Sequence, residues 1–186
     1  PNLSGTYAGA MAANLREHQS RTLEVVHERF ERSMQLAWRH GLRAVRTHID
    51  SLGPGAQCSW DAILKGASRW QDRVTVQPVA LVPVEHWSSS EGEQLAARVA
   101  ASGGLLGGVI TPPCSGRGHR QALRNLLALA DRHGCGVDLH IDEASSEPAA
   151  GMVQLMSVLK RMTVSVPITC SHASSLSLLR ASALQR

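Results

Sequence analysis

Apolar runs rich in β-branched residues alternate along this chain with stretches in which apolar residues recur at helical spacing. This alternation is typical of parallel strands joined by crossover helices. The pattern predicts five strands, one within each of the stretches 42–50, 74–83, 103–113, 136–146 and 166–175. It predicts helices near 22–41, 60–70, 91–101, 119–134 and 149–162. The chain is therefore expected to have an α/β fold.

Polar or sharply turning positions close the predicted strands about every 30 residues, which is the length of one strand plus its crossover helix. These positions are His48, Gln77, Ile110, His140 and His172. A (β/α)8 barrel and a doubly wound open sheet both produce this rhythm. Histidines end three of the five strands, and in a barrel such ends converge on one pocket. We therefore expect a TIM-type barrel that is incomplete here, with about five parallel strands.

Composition narrows the class of protein without naming a function. The 186 residues are 43% apolar and 18% charged, as expected for one globular domain, and 1–186 is predicted to be a single partial catalytic domain. No apolar run is long enough to span a membrane and no secretory signal is visible, so a cytoplasmic protein without membrane contact is expected. Scattered arginines and 3% aromatic residues argue against nucleic-acid binding.

The four cysteines do not suggest a structural metal or disulfide framework. They are widely spaced and form no CxxC pair, at Cys58, Cys114, Cys135 and Cys170. Buried reduced thiols are the expected state. The motifs HExxH, GxSxG, Walker A and the HxE with PCxxC of another deaminase fold are also absent, and the glycines of SGGLLGG do not form GxGxxG.

The stretch GVDLHIDEASS carries the strongest chemical signal. The pleat of a strand would place Asp138, His140 and Asp142 on one face and the intervening apolar residues on the other. Glu143 follows the predicted strand and can lean over the same space from the loop. Imidazole is a common ligand of zinc or iron, and a nearby carboxylate can move protons for water activated there. Spacing alone makes this a moderate indication of metal chemistry.

The order of motifs resembles the cytosine deaminase-like branch of the metal-dependent amidohydrolase superfamily. The pieces that resemble it extend over nearly the whole chain: NLSGTYAGAM, VRTHID, VQPVALVP, LLGGVITP, LALADRHGCGVDLHIDEA and ITCSHASSL. The resemblance implies a distorted (β/α)8 barrel with one divalent metal ion, iron or zinc. That ion activates water for hydrolytic attack on a carbon of a cyclic amidine or amide.

The resemblance also implies roles for individual residues. His140 is similar to the fifth-strand metal ligand, and Glu143 to the residue that carries a proton from water to the departing ammonia. His172 resembles the sixth-strand histidine beside the attacked carbon. Gln77 is similar to a glutamine that reads the amide edge of the substrate, and His48 to a second-strand histidine to which the resemblance assigns no definite role.

Asp142 is expected to join His48 and Gln77 in substrate binding. The family holds its metal with an HxH pair on the first strand, a histidine on the fifth and an aspartate on the eighth. This chain has no HxH, and no aspartate follows Asp142. It is therefore expected to be an internal segment that carries roughly strands two to six of eight.

The expected function is deamination of cytosine or a related nitrogen heterocycle, a small-molecule substrate. The loops LVPVEHW and TPPCSGRGH depart from the family pattern and weaken the case for cytosine itself. Three alternatives stay open: hydrolysis of another C–N bond in a triazine- or creatinine-like ring, a non-catalytic fragment or scaffold, and an open-sheet binding protein with structural histidines. Homo-oligomerisation of the parent protein is left open.

Overall fold

A computed structural model describes residues 3–114, 116–180 and 182. The chain divides into two compact units, Pro1–Pro78 and Val79–Arg186. The helices are α1 (Tyr7–His18), α2 (Leu23–Arg39), α3 (Ala56–Trp70), α4 (Ser90–Ala101), α5 (Arg117–His133) and α6 (Ala150–Leu159). The strands are β1 (Ala44–Asp50), β2 (Thr75–Pro83), β3 (Leu105–Val109), β4 (Val137–Ile141) and β5 (Ile168–His172). Two short 3-10 helices cover Val84–Ser88 and Ser174–Leu178.

The five predicted strands and five predicted helices are confirmed. Strands β1 and β2 end where predicted, whereas β3, β4 and β5 end earlier than the predicted stretches. Helix α1 was not predicted, because its alanine-rich sequence has little apolar periodicity. Its start is nevertheless marked chemically, since the Thr6 hydroxyl accepts a hydrogen bond from the backbone N–H of Gly9 at 3.1 Å.

The second unit contains strands that follow one another in chain order: the part of β2 from Val79 onward, then β3, β4 and β5. Each of these neighbouring pairs is parallel, and helices connect the strands. A doubly wound sheet would reverse its strand order at a switch point, and this run shows no reversal. The order is that of consecutive units of a (β/α)8 barrel, which confirms the predicted fold class.

Apolar residues on one side of the strands make the core of the second unit. Val137, Leu139 and Ile141 alternate along β4 and are completely buried, as are Leu123 and Leu126 of α5. Burying a leucine or isoleucine side chain contributes about 1.5–3 kcal/mol, so this packing holds β4 in place. The alternation that the sequence predicted therefore anchors the strand and leaves its other face for polar residues.

The core of the first unit packs α2 and α3 around Phe30, Met34, Ile49 and Ile63. Gly66 of α3 is required here, because a Cβ at this position would lie 2.4 Å from two carbons of the Phe30 ring. The close contact lets the two helices approach each other directly.

A polar network fastens α1 within the first unit. One oxygen of Asp50, Oδ2, lies 3.2 Å from Asn14 Nδ2, 3.1 Å from His18 Nε2 and 3.0 Å from Arg21 Nη2. Arg21 also donates to Glu17. Half-buried Asp50, the last residue of β1, is thus the fixed point to which α1 and the turn after it are tied.

All four cysteines are free thiols. Cys114 and Cys135 are buried as predicted, while Cys58 and Cys170 are only half-buried. Among the helices in the described part of the chain, none combines the length and hydropathy needed to cross a bilayer.

Replacing Gly107 of β3 with alanine is expected to destabilise the second unit by about 1–3 kcal/mol. A Cβ there would lie 2.5 Å from the carbonyl oxygen of Ala80 in the neighbouring strand, and backbone cannot move aside cheaply. Gly108→Ala is the matched control, because its nearest neighbours are leucine side-chain ends at 3.2 Å and 3.4 Å. Urea unfolding of both variants measures the difference, and equal costs would contradict the close-approach explanation.

Acidification is expected to remove the stabilisation that Asp50 provides. Burial alone would raise the pKa of its carboxyl group, but hydrogen bonds from Arg21, Asn14 and His18 outweigh this and hold the pKa below its usual value. The stabilisation is therefore complete above the unfolded pKa of about 4 and is lost as pH falls through the lower folded pKa.

Urea unfolding of wild type and Asp50→Asn across this pH range tests the linkage. Wild type should be more stable at neutral pH, and the difference should shrink below about pH 4. Asp72→Asn, at an exposed position, controls for the loss of one surface charge. A difference that stays constant from neutral to acid pH would contradict the expectation.

Candidate active site

The polar face of β4 presents Asp138 and His140. These side chains lie two residues apart on one strand and therefore share a face. Asp138 is 1% exposed, and His140 is half-buried. The strand register sets His140 between Val109 of β3 and Ser171 of β5. The end of β4 thus carries an imidazole that is supported on both sides by neighbouring strands.

The turn after β4 is fixed by Asp142. Its backbone is left-handed, with φ of 54°, and this ends the pleated strand. Its buried carboxylate accepts hydrogen bonds from the backbone N–H groups of Gly151 and Met152, both at 2.9 Å. These groups open α6, where negative charge is favoured. A side chain at position 151 would meet Ile141 at 2.7 Å, so glycine is needed there.

Both Asp142 oxygens are therefore occupied by the start of α6. The pleat reasoning placed Asp142 on the face of His140, but β4 ends at Ile141 and the left-handed turn removes Asp142 from that alternation. The predicted substrate-binding role of Asp142 is not tested by this geometry. What the geometry provides is a rigid backbone for the next residue, Glu143.

The end of β5 departs from regular strand geometry as well. His172 has φ of 68° and Ala173 has φ of 50°, both in the left-handed region. The register pairs His172 with Ile141, whose side chain is buried in the core. Because the left-handed backbone breaks the pleat, the His172 side chain turns instead toward His140. The N–H of Ala173 donates to the carbonyl of Ile141 at 3.0 Å and fastens the turn to β4.

Three side chains converge as a result, and we call His140, Glu143 and His172 the central cluster. The rings of His140 and His172 are 4.6 Å apart between centroids and meet edge to face, at 86°. Glu143 Oε2 lies 3.7 Å from His172 Nε2. The side chains of His172 and Glu143 are 36% and 37% exposed, so a small molecule can reach them.

The central cluster offers a donor set that suits a borderline divalent cation. Two imidazole nitrogens and one carboxylate oxygen lie within 4.8 Å of one another. Imidazole and carboxylate ligands are those that zinc and non-haem iron take in proteins. The residues of the second unit therefore fit the kind of ion that the sequence predicted.

In the first unit the structure places His48 and Gln77 on neighbouring strands. His48 is half-buried near the end of β1. The exposed side chain of Gln77 in β2 accepts a hydrogen bond through Oε1 from Arg46 Nε at 2.8 Å. Sequence reasoning did not anticipate this contact, which orients the Gln77 amide. The roles of both residues remain predictions.

The loop after β3 adds groups that sequence reasoning missed. The N–H of Cys114 donates to Glu147 Oε2 at 2.9 Å and joins this loop to the one after β4. Burial, together with the negative charges of Glu147, Asp142 and Glu85, raises the pKa of the Cys114 thiol to about 11. The thiol therefore stays protonated at neutral pH and is a poor nucleophile.

Asp138 is the second group that was overlooked as a site residue. It stands two residues before His140 on the same strand face, and this spacing was the signal that could have identified it. Its Oδ1 accepts a hydrogen bond from the Ser171 hydroxyl at 2.7 Å. Glu147 carried no comparable signal, because only the folded loop brings it to Cys114.

Comparison with known proteins extends these observations. No family model matches the sequence. A pterin deaminase from Rhizobium rhizogenes is 28% identical over 179 residues, which is 94% of this chain and 40% of the relative. The chain thus spans about two fifths of the length of this curated relative.

Solved structures share the fold. The 5-methylcytosine deaminase of Klebsiella pneumoniae liganded with 5-fluorocytosine matches with a TM-score of 0.83 at 23% identity, over 99% of this chain and 45% of that one. An N-isopropylammelide isopropylaminohydrolase from Burkholderia multivorans matches with a TM-score of 0.61 at 28% identity, over 81% and 39%.

The motif order, the strand topology and these relatives agree. The resemblance that the sequence predicted is therefore confirmed: the chain is similar in sequence to a pterin deaminase and an N-isopropylammelide isopropylaminohydrolase, and it shares the fold of a 5-methylcytosine deaminase.

Proposed function

We propose that this chain carries the hydrolytic centre of an enzyme that deaminates a nitrogen heterocycle. The observation that carries the proposal is the convergence of His140, Glu143 and His172, whose donor atoms lie within 4.8 Å of one another. Two imidazoles and a carboxylate at the ends of two neighbouring strands can bind a cation, hold water and move protons. Homology to deaminases supports this chemistry over unrelated uses of the same side chains.

We assign each residue of the central cluster a role from its position in the site. A divalent cation at the cluster would supply Lewis acidity that lowers the pKa of a water molecule. His140, on the rigid strand, is the proposed ligand. Glu143 sits on a fixed turn and accepts the water proton, then delivers it to the departing nitrogen. His172, 3.7 Å from the Glu143 carboxylate, stabilises the oxygen on which negative charge develops.

The proposed substrate is a planar ring that carries an amino group, of the pterin, pyrimidine or triazine kind. Gln77, His48 and Asp142 are proposed to position it, with Asp142 contributing through the turn that it fixes. The acidic surroundings of Cys114, formed by Glu147, Asp142 and Glu85, favour an electron-poor or amino-substituted ring edge. Cytosine itself stays less favoured because of the unusual loops after β2 and β3.

Hydrolysis of another C–N bond is the second candidate. The similarity to an N-isopropylammelide isopropylaminohydrolase supports it, because that protein is named for removal of an alkylamine rather than ammonia. The same proton transfer by Glu143 would serve either leaving group. We further propose that the bound ion is iron or zinc, that the protein is cytoplasmic and that it forms homo-oligomers. The alternative hypothesis is that the chain is a non-catalytic scaffold.

Replacing Glu143 with glutamine should lower turnover at least about 100-fold, because the amide cannot accept and return a proton. The longest natural protein that contains this chain is assayed with zinc or iron on pterin, 5-methylcytosine, cytosine and an N-alkylammelide, with ammonia and alkylamine measured separately. Glu28→Gln is the matched control, since it makes the same change at an exposed helix carboxylate outside the central cluster. Turnover of Glu143→Gln within a few-fold of wild type would refute the assigned proton carrier.

The 186-residue chain alone is expected to bind zinc weakly, through the central cluster. Only His140 has the place of a family metal ligand, while Glu143 and His172 can add donor atoms. Isothermal titration calorimetry should show that His140→Ala weakens binding at least about tenfold, whereas His133→Ala at the end of α5 leaves it unchanged. Tight stoichiometric binding that survives His140→Ala would contradict this assignment.

A further inference from the structure

Asp138 is a buried carboxylate that the proposed proton transfers do not use. It is 1% exposed and shares the polar face of β4 with His140. Burying a carboxylate costs free energy unless hydrogen bonds compensate, so the hydrogen-bond partners of Asp138 are important for the fold around it. The Ser171 hydroxyl donates to Asp138 Oδ1 at 2.7 Å, the usual length of a well-formed O–H···O hydrogen bond.

The bond between Asp138 and Ser171 joins two strands at the level of the central cluster. In the parallel register Asp138 pairs with Thr169, and Ser171 pairs with His140. The side-chain bond therefore runs diagonally toward the end of β5. It holds the residue that immediately precedes His172.

His172 needs such support because its φ of 68° is unfavourable for a residue with a side chain. On the following side, the N–H of Ala173 donates to the Ile141 carbonyl at 3.0 Å. On the preceding side, Ser171 is held by Asp138. The left-handed residue is thus clamped from both neighbours to β4, the strand that carries His140.

We propose that Asp138 is a positioning residue that acts through Ser171 to keep the His172 ring against His140 and Glu143. The inference rests on the proposed function only in taking the central cluster as the place of the chemistry. Loss of the clamp frees the end of β5 to resume regular strand geometry. The pleat would then direct His172 away from His140, and the cluster would lose one of its three members.

Nuclear magnetic resonance on the metal-free 186-residue chain tests the clamp directly. The ring centroids of His140 and His172 are 4.6 Å apart, so the wild type should show a nuclear Overhauser effect between ring protons. Ser171→Ala and Asp138→Ala should lose this effect. Asp138→Asn should retain it, because the amide oxygen can still accept the Ser171 hydroxyl.

Ser165→Ala is the matched control. The Ser165 hydroxyl also donates to an aspartate, Asp131, but it lies before the other end of β5 and is exposed. This variant should leave the contact between the two rings unchanged. If Ser171→Ala and Asp138→Ala lower the free energy of unfolding yet preserve the contact between the rings, the positioning role is wrong. If Asp138→Ala does not fold, Ser171→Ala, which removes one hydroxyl, decides the question.

Zinc titration of the same variants gives a second readout. Removing the support behind a ligand typically weakens metal binding by about tenfold or more, and this loss is expected for Ser171→Ala but not for Ser165→Ala. If the wild-type chain binds no zinc, the proposed metal chemistry is contradicted. If Ser171→Ala nevertheless loses the ring contact, the clamp is still supported. Unchanged ring contacts in both clamp variants would overturn the clamp, whatever the zinc affinity.

Discussion

The turn that ends β4 is the constraint on which the candidate site depends. Asp142 adopts a left-handed backbone, and its buried carboxylate accepts two N–H groups from the start of α6. Its carbonyl oxygen accepts a third hydrogen bond, from the N–H of Ser175 at 2.9 Å. A buried carboxylate without these partners would be costly, so the turn has one favoured arrangement. The turn at Asp142 therefore sets the positions of Glu143 and of the segment after His172.

This constraint explains how loop residues can be held as precisely as strand residues. Loops are ordinarily more mobile than the elements they connect. Here Asp142, just before Glu143, is bonded to the start of α6, and Ala173, just after His172, is bonded to β4. The apolar residues of β4 are completely buried. Packing of one strand face therefore supplies the rigidity, and the opposite face supplies the chemistry. The two requirements do not compete, because strand residues alternate between faces.

The relatives show why a fold and a reaction class are easier to assign than a substrate. Proteins of related fold are named for a pterin, for 5-methylcytosine and for an N-alkylated triazine. Strand ends hold the reacting groups, while loops of variable sequence surround the ring. In this chain the loop that carries Cys114 is joined to Glu147. Assigning a substrate to such a fold therefore depends on its loops, which are its least regular part.

The sequence by itself determined the strands, most helices and the motif around His140 and Glu143, because alternation and helical spacing report locally which residues face a core. It did not reveal α1, which lacks apolar periodicity. It also did not reveal that β4 ends at Ile141, before the left-handed turn at Asp142. The meeting of His140 with His172, 32 residues away in the sequence numbering, was decided only by tertiary structure. That meeting requires parallel pairing of β4 with β5 and left-handed turns at non-glycine residues. Such turns are unfavourable locally, and only hydrogen bonds from distant parts of the chain make them stable.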